Sequence, residues 1–233
     1  MFFQNNLSSM FLAHKLTVPK TAHYYTLGTP SRLIRRLWIV CHGYGQLAKT
    51  FIRRFQQLDD GETFVLAPEG LSRFYWGGFT GEPVASWMTK EDRLDEIADY
   101  THYLQMLYDL YVPQLAADVQ INLLGFSQGC ATQCRWVLRK RPLFHHLILW
   151  AGLLPDDLDF TPHSEYFAKK GLHFVYGDED PYLTPERLNW QIQFAKEQRL
   201  DFRATPFKGK HEVDPEALGR IARRVYAWKE RES

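Results

Sequence analysis

The chain has 233 residues, 45% of them hydrophobic and 24% charged, with a formal net charge of +1. At this length folding removes roughly 70% of the extended-chain surface, enough for one large core, and the composition argues against a disordered, collagen-like or coiled-coil chain. With 28 basic residues against 27 acidic ones and no long block of one sign, nonspecific nucleic-acid or anionic-membrane binding has little electrostatic support.

Cys41, Cys130 and Cys134 cannot all pair within one chain and form no metal-ligand ladder, so a reducing, cytoplasmic setting is expected. The opening MFFQNNLSSMFLAHK is broken by Gln4, Asn5, Asn6, Ser8 and Ser9, unlike the basic start and unbroken apolar run of an export signal. No segment has about 18 consecutive apolar residues, so no membrane span is expected.

Leu37 to Cys41 reads as the first strong strand and ends at His42-Gly43-Tyr44-Gly45, where glycine permits a tight turn. Leu47, Phe51, Phe55 and Leu58 recur at helical spacing. A strand from Thr63 to Ala67 stops at Pro68, and a long irregular stretch is expected from Glu69 to Lys90. Leu94, Ile97, Thr101, Leu104, Tyr108 and Tyr111 mark a helix from about Glu91 to the region of Pro113. Gln120 to Gly125 is a third buried strand and leads into a helix from Gln128 to about Lys140.

The alternation continues with a strand at His146 to Ala151, a polar connection through Asp157, Pro162 and His163, and a strand at Leu172 to Tyr176. Thr184-Pro185 supplies a cap and first turn for a helix carrying Leu188, Ile192 and Ala195. Asp201 to Phe207 is the last strand, and Pro206 places it at an edge or strand end because proline cannot donate a ladder bond. Asp214-Pro215 starts a final helix with Leu218, Ile221, Val225 and Trp228 in one stripe. The apolar strands look covered on both faces, so one mostly parallel α/β domain is expected over residues 1–233, with residues 1–20 as an irregular extension.

The sharpest chemical signal is Gly125-Phe126-Ser127-Gln128-Gly129, a G-x-S-x-G run between a buried strand and a helix. That is the context of a nucleophile elbow, where a serine sits on a strained turn and small residues leave room for it. Ser127 would be the nucleophile, and the backbone amide of Gln128 would face a developing oxyanion. A serine needs a base, and His211, after the last strand and before the final helix, is the candidate. Gly177-Asp178-Glu179-Asp180-Pro181 offers three acids to orient it. Asp180 is chosen because it lies far enough past the strand end to turn back toward His211, leaving Asp178 and Glu179 to the turn or to solvent. The order serine, acid, histidine agrees with this architecture. The amide of Tyr44 is the second oxyanion candidate, and His42 is expected to shape that loop through hydrogen bonds. Phe74, Tyr75, Trp76 and Phe79 either wall an apolar substrate pocket or only fasten the long connection. Cys130 and Cys134, four apart, are read as core packing, and the acidic cluster is a weak metal signal.

His42-Gly43-Tyr44-Gly45, Ala67-Pro68, Gly125 to Gly129, Gly177 to Asp180 and Gly209 to His211 together resemble the phospholipase/carboxylesterase family of the α/β-hydrolase superfamily, which includes acyl-protein thioesterases. The resemblance runs from about Arg36 to Trp228. It implies the α/β-hydrolase fold, a triad of Ser127, Asp180 and His211, oxyanion donors at Tyr44 and Gln128, no metal or organic cofactor, and a monomer or homodimer. Tyr44 stands where members acting on protein acyl thioesters commonly carry leucine, and Phe74 to Phe79 departs from their pattern. The expected activity is therefore hydrolysis of short- or medium-chain carboxylic esters, small-molecule substrates, without stable membrane insertion. The alternatives are an acyl thioesterase or lysophospholipase, and a non-catalytic binding protein on the same fold.

Overall fold

The apolar run after Arg35 forms strand β2 (Arg36–Cys41), and its alternation decides the architecture. Leu37, Ile39 and Cys41 enter one hydrophobic core, whereas Trp38 and Val40 enter a second core on the opposite face. A strand buried on both sides has no polar face to alternate with, which is why the sequence reads as one continuous apolar run.

In the computed structural model, which describes residues 12–227, β2 lies inside a seven-stranded sheet. Its other members are β1 (Tyr24–Leu27), β3 (Thr63–Pro68), β6 (Gln120–Phe126), β7 (His146–Trp150), β8 (Gly171–Gly177) and β9 (Phe202–Phe207). The spatial order is β1-β3-β2-β6-β7-β8-β9, with β4 (Ser72–Tyr75) and β5 (Pro83–Ser86) paired separately as a hairpin. Every neighbouring pair of the large sheet is parallel except β1 with β3.

Helices α2 (Arg93–Tyr111), α3 (Gln128–Lys140), α4 (Ser164–Ala168) and α5 (Pro185–Glu197) contribute to the core on one face. On the other face lie α1 (Ala48–Phe51), the 3₁₀ segment Ile52–Leu58 that continues it, and α6 (Pro215–Tyr226). The two expected caps form: Thr184 accepts from the Arg187 amide at 3.4 Å and Asp214 from the Ala217 amide at 2.7 Å, each followed by a proline at the first helical position. Leu218, Ile221 and Val225 are buried as one stripe of α6, and β9, with Pro206, is an edge strand. Trp228 and residues 1–11 lie outside the described residues.

Four local features differ from the sequence reading, each for a physical reason. The stretch from Glu69 to Lys90 is not irregular throughout: β4 and β5 pair with Phe74 opposite Val84, and each strand is only four residues long. So short an alternation is hard to distinguish from a loop, especially with Gly77 and Gly78 at positive φ in the turn. The helix expected from Leu47 to Leu58 tightens after four residues. Ile52, Phe55 and Leu58 are its buried residues, a spacing of three that suits the 3₁₀ repeat. Strand β1 escaped notice because it is a half-exposed antiparallel edge with no apolar run. The short α4 sits within what reads as a polar connection.

Candidate active site

Strand β6 delivers Ser127 to the carboxyl edge of the sheet, and α3 begins at the next residue. Ser127 has φ 51° and ψ −115°, a conformation costly for a residue with a Cβ, of order 1–3 kcal/mol, and kept only where the surroundings impose it. The surroundings are a close crossing of backbones. A Cβ on Gly125 would lie 2.3 Å from the Gly129 carbonyl oxygen, and one on Gly129 would lie 2.2 Å from that of Cys41. The Ser127 amide donates to the Trp150 carbonyl at 2.9 Å, while its side chain makes no capping bond to α3, so the hydroxyl is not consumed by the fold.

The loop after β2 closes over the same point. A Cβ on Gly43 would sit 3.2 Å from the Ser127 Cβ, which places the Gly43–Tyr44 backbone beside Ser127. Among the described residues neither the Tyr44 nor the Gln128 amide has a hydrogen-bond acceptor. The neighbouring amides are used: Gly43 donates to Gln46 Oε1 at 2.9 Å and Gly45 to the Ala85 carbonyl at 3.0 Å. The Gln128 side chain has a separate task, accepting from the Trp87 amide at 3.1 Å and donating to the Met88 carbonyl at 2.9 Å. It thereby fastens the chain after β5 to the start of α3.

His42 is part of this scaffold. It is buried, its Nε2 accepts from the Gly70 amide at 2.9 Å, and its Nδ1 therefore carries the proton toward the Gly43 carbonyl at 2.8 Å. Burial pushes its pKa down to about 4, so it is neutral and structural. The Trp87 indole donates to the His42 carbonyl at 2.8 Å and completes the support.

Asp180 and His211, the candidate acid and base, follow the ends of β8 and β9. His211 Nδ1 lies 2.8 Å from Asp180 Oδ2, and the Asp180 side chain is fully buried. Asp180 Oδ1 accepts from the Tyr182 amide at 2.9 Å, so both carboxylate oxygens are engaged and its orientation is set. An ionised carboxylate only accepts, hence Nδ1 bears the proton and Nε2 is left as the basic nitrogen. Asp178 instead accepts from the Gly209 amide at 3.2 Å and pairs with Lys208 at 2.6 Å, which holds its carboxyl below the usual range and ties the two loops together. Phe126, the residue before Ser127, packs with its ring tilted 46° against the His211 ring at a centroid distance of 4.9 Å, and the Trp150 indole donates to the Glu212 carbonyl at 2.7 Å.

Of the aromatic candidates, the structure brings two together. Phe74 and Trp76 pack on the Tyr44 ring at centroid distances of 5.2 and 5.8 Å, and the hairpin is joined to this loop by a hydrogen bond from the Ala85 amide to the Gln46 carbonyl at 3.1 Å. Tyr75 points to the other face of β4 and is exposed, and Phe79 at the hairpin tip is 97% exposed. Neither joins the Tyr44 cluster. The three cysteines are buried and free; burial pushes the Cys134 thiol up to about 12 and holds Cys41 and Cys130 well above the ordinary value, so they pack rather than react. No group of three or more metal-ligating side chains occurs among the described residues, nor a helix long and apolar enough to cross a membrane.

Solved structures share this arrangement of strands and helices. Esterase PE8 is 19% identical over 88% of this chain and 100% of its own, with a TM-score of 0.62. Acyl-protein thioesterase 2 of Zea mays is 16% identical over 89% and 99%, with a TM-score of 0.66, and a phospholipase/carboxylesterase of Dyadobacter fermentans is 16% identical over 90% and 99%, with a TM-score of 0.62. The chain has the α/β-hydrolase fold. No protein-family model matches the sequence, and no curated protein matches it significantly.

In the α/β-hydrolase fold of this chain, β2, β6, β8 and β9 bring Tyr44, Ser127, Asp180 and His211 to one edge of the sheet. Sequence reasoning missed Tyr182, whose ring meets His211 edge-on at 4.7 Å. The signal was the Asp180-Pro181-Tyr182 spacing, which lets the carboxylate accept from an amide two residues on and turns the tyrosine over the histidine.

A pH prediction arises from the buried imidazoles. His146 Nδ1 and His173 Nε2 lie 3.2 Å apart, and burial first, then neighbouring positive charge, pushes their pKa values down to about 3 and about 4. The opposing groups are His173, His145 and Lys170 around His146, and Arg224 and Arg203 around His173. With His42, these side chains take up protons near pH 6.5 when unfolded but stay neutral when folded. The unfolded state therefore binds more protons, and stability, fully present above pH 6.5, falls as pH drops toward 4. Each contributes roughly 2 kcal/mol of loss by pH 5, so denaturant melts at pH 8 and pH 5 should differ by about 6 kcal/mol. Equal stabilities at the two pH values would contradict this.

Proposed function

We propose that this protein is a serine hydrolase of carboxylic esters, related to the phospholipase/carboxylesterase family, acting through an acyl-enzyme at Ser127. The observation that carries the reading is a serine held in a strained elbow next to Phe126, whose ring lies 4.9 Å from His211 of the His211–Asp180 pair, with the Tyr44 and Gln128 amides left without acceptors among the described residues. The esterase, thioesterase and carboxylesterase named among the fold neighbours support the same class of reaction.

In the first half of the reaction, His211 Nε2 takes the Ser127 proton as Oγ attacks the substrate carbonyl carbon, and the carbonyl oxygen becomes an oxyanion facing the Tyr44 and Gln128 amides. Collapse of this intermediate breaks the ester bond, and His211 returns the proton to the departing alkoxide. Water, deprotonated by His211, then attacks the acyl carbon; the second intermediate expels Ser127 Oγ, which recovers the proton. Asp180 fixes the imidazole and stabilises its charged form. Each oxyanion donor contributes on the order of 3 kcal/mol to catalysis.

Short- or medium-chain esters are favoured as substrates because the Tyr44 loop, whose Gly43 lies against Ser127, carries a partly exposed cluster of Tyr44, Phe74 and Trp76 rings. A matched panel of esters, thioesters and amides, with acyl chains from two to sixteen carbons, tests this. Wild type should show its highest kcat/KM on short or medium esters, and a strong Ser127-dependent preference for palmitoyl thioesters would replace this reading with that of a thioesterase. Trp76→Ala should lower kcat/KM for aryl esters about 3- to 10-fold by removing one ring of the Tyr44 cluster. Phe79→Ala, at a tip that joins no cluster, should leave it unchanged. Equal effects of the two substitutions would remove the Tyr44, Phe74 and Trp76 cluster from the binding site.

A further inference from the structure

At the opposite end of the sheet from Ser127, where β7, β8 and β9 begin, a cavity of about 310 Å³ opens between β8, β9, α6 and the turns that follow α4 and α5. Its charged lining is strongly one-sided: Lys169, Lys170, Arg199, Arg203 and Arg224 against the single acid Asp201. These cations come from separate elements. Arg203 stands directly across from His173 in the β8–β9 ladder, and Arg224 reaches in from α6, donating to Thr205 Oγ1 at 2.8 Å. Among the described residues Lys169, Arg199, Arg203 and Arg224 form no ion pair with a carboxylate. His173 is only 5% exposed, and its Nδ1 has no hydrogen-bond partner.

The cost of this arrangement is visible in the ionisation of its members. Burial, and then the like charges of Arg203 and Arg220, lower the Arg224 pKa, and Arg224 and Arg203 both oppose protonation of His173. Among the described residues Arg203 and Arg224 have no carboxylate paired with them, so their like charges repel, and an anion placed between them removes that repulsion while gaining charge-assisted hydrogen bonds.

We propose that this cavity binds a small phosphate-bearing anion, either inorganic phosphate or the phosphoryl group of a monoester, held by Arg203 and Arg224. Two guanidinium groups from different elements suit a compact dianion with several oxygens better than a monocarboxylate, which one guanidinium fork can satisfy. The small volume and the near-neutral chain do not suit an extended polyanion, which needs a continuous basic surface.

Calorimetric titration at constant ionic strength, using inorganic phosphate, glycerol phosphate and malate, tests the assignment on the intact protein. Phosphate or glycerol phosphate should bind saturably and raise the melting temperature; the stronger of the two identifies the source of the phosphoryl group. Arg203→Gln and Arg224→Gln should each weaken that binding about tenfold or more. Arg203 is exposed on an edge strand, so its substitution serves if Arg224→Gln does not fold. No saturable binding of either phosphate, binding unaffected in a folded Arg203→Gln variant, or tighter binding of malate would each overturn the proposal. None of these readouts depends on ester hydrolysis.

Discussion

Ser127→Ala should abolish fluorophosphonate labelling and lower ester hydrolysis by roughly 10⁵- to 10⁶-fold, the scale expected when the nucleophile of a cooperating triad is removed. The substitution is clean for structural reasons. Alanine keeps the Cβ already accommodated at φ 51°, and the lost hydroxyl caps no helix, so the fold should persist with an unchanged melting temperature. On the proposed mechanism the variant still holds substrate beside the Tyr44 and Gln128 amides, so a residual rate above that of water is expected. Mass-spectrometric mapping of the labelled wild type decides the assignment: an adduct at another serine, with hydrolysis intact in Ser127→Ala, would remove Ser127 from the mechanism.

The parts of this molecule that were legible in its sequence are those where one local pattern determines one environment. Buried parallel strands such as Arg36–Cys41 and His146–Trp150 read as apolar runs because neither face meets water. Gly125-Phe126-Ser127-Gln128-Gly129 was readable because the start of α3 lies too close to β6 at Gly125 and to β2 at Gly129 for side chains at the two glycines. The helix starts at Pro185 and Pro215 followed from caps whose hydrogen bonds are local. What escaped depends on contacts distant in sequence. Strand β1 exists through its antiparallel register with β3, some forty residues later, and its own burial alternates too weakly to announce it. The hairpin separates Phe74 and Trp76 from Tyr75 by the two-residue period of a strand, which four candidate aromatics in an apparent loop do not reveal. The cationic cavity is assembled from α4, α5, β9 and α6 segments that share no motif.

Asp180→Asn should lower kcat for ester hydrolysis by about 10⁴-fold, whereas Asp178→Asn should cost no more than about tenfold, and the contrast between carboxylates two residues apart follows from what each one holds. Asp180 is buried, with one oxygen on the Tyr182 amide and the other 2.8 Å from His211 Nδ1. An asparagine there can keep the amide contact with its carbonyl oxygen but then presents an NH₂ to the histidine. The imidazole must accept at Nδ1, its proton moves to Nε2, and the nitrogen proposed to deprotonate Ser127 is no longer basic. Asp178 faces solvent and the Lys208–Gly209 turn, so its loss loosens the loop carrying His211 without altering the imidazole tautomer. The two variants should therefore differ in kind: Asp180→Asn in kcat at nearly constant KM and melting temperature, Asp178→Asn in loop stability measured by hydrogen exchange around Gly209. The reverse ranking in two folded variants would transfer the orienting role to Asp178 and would require the loop after β8 to rearrange when substrate binds.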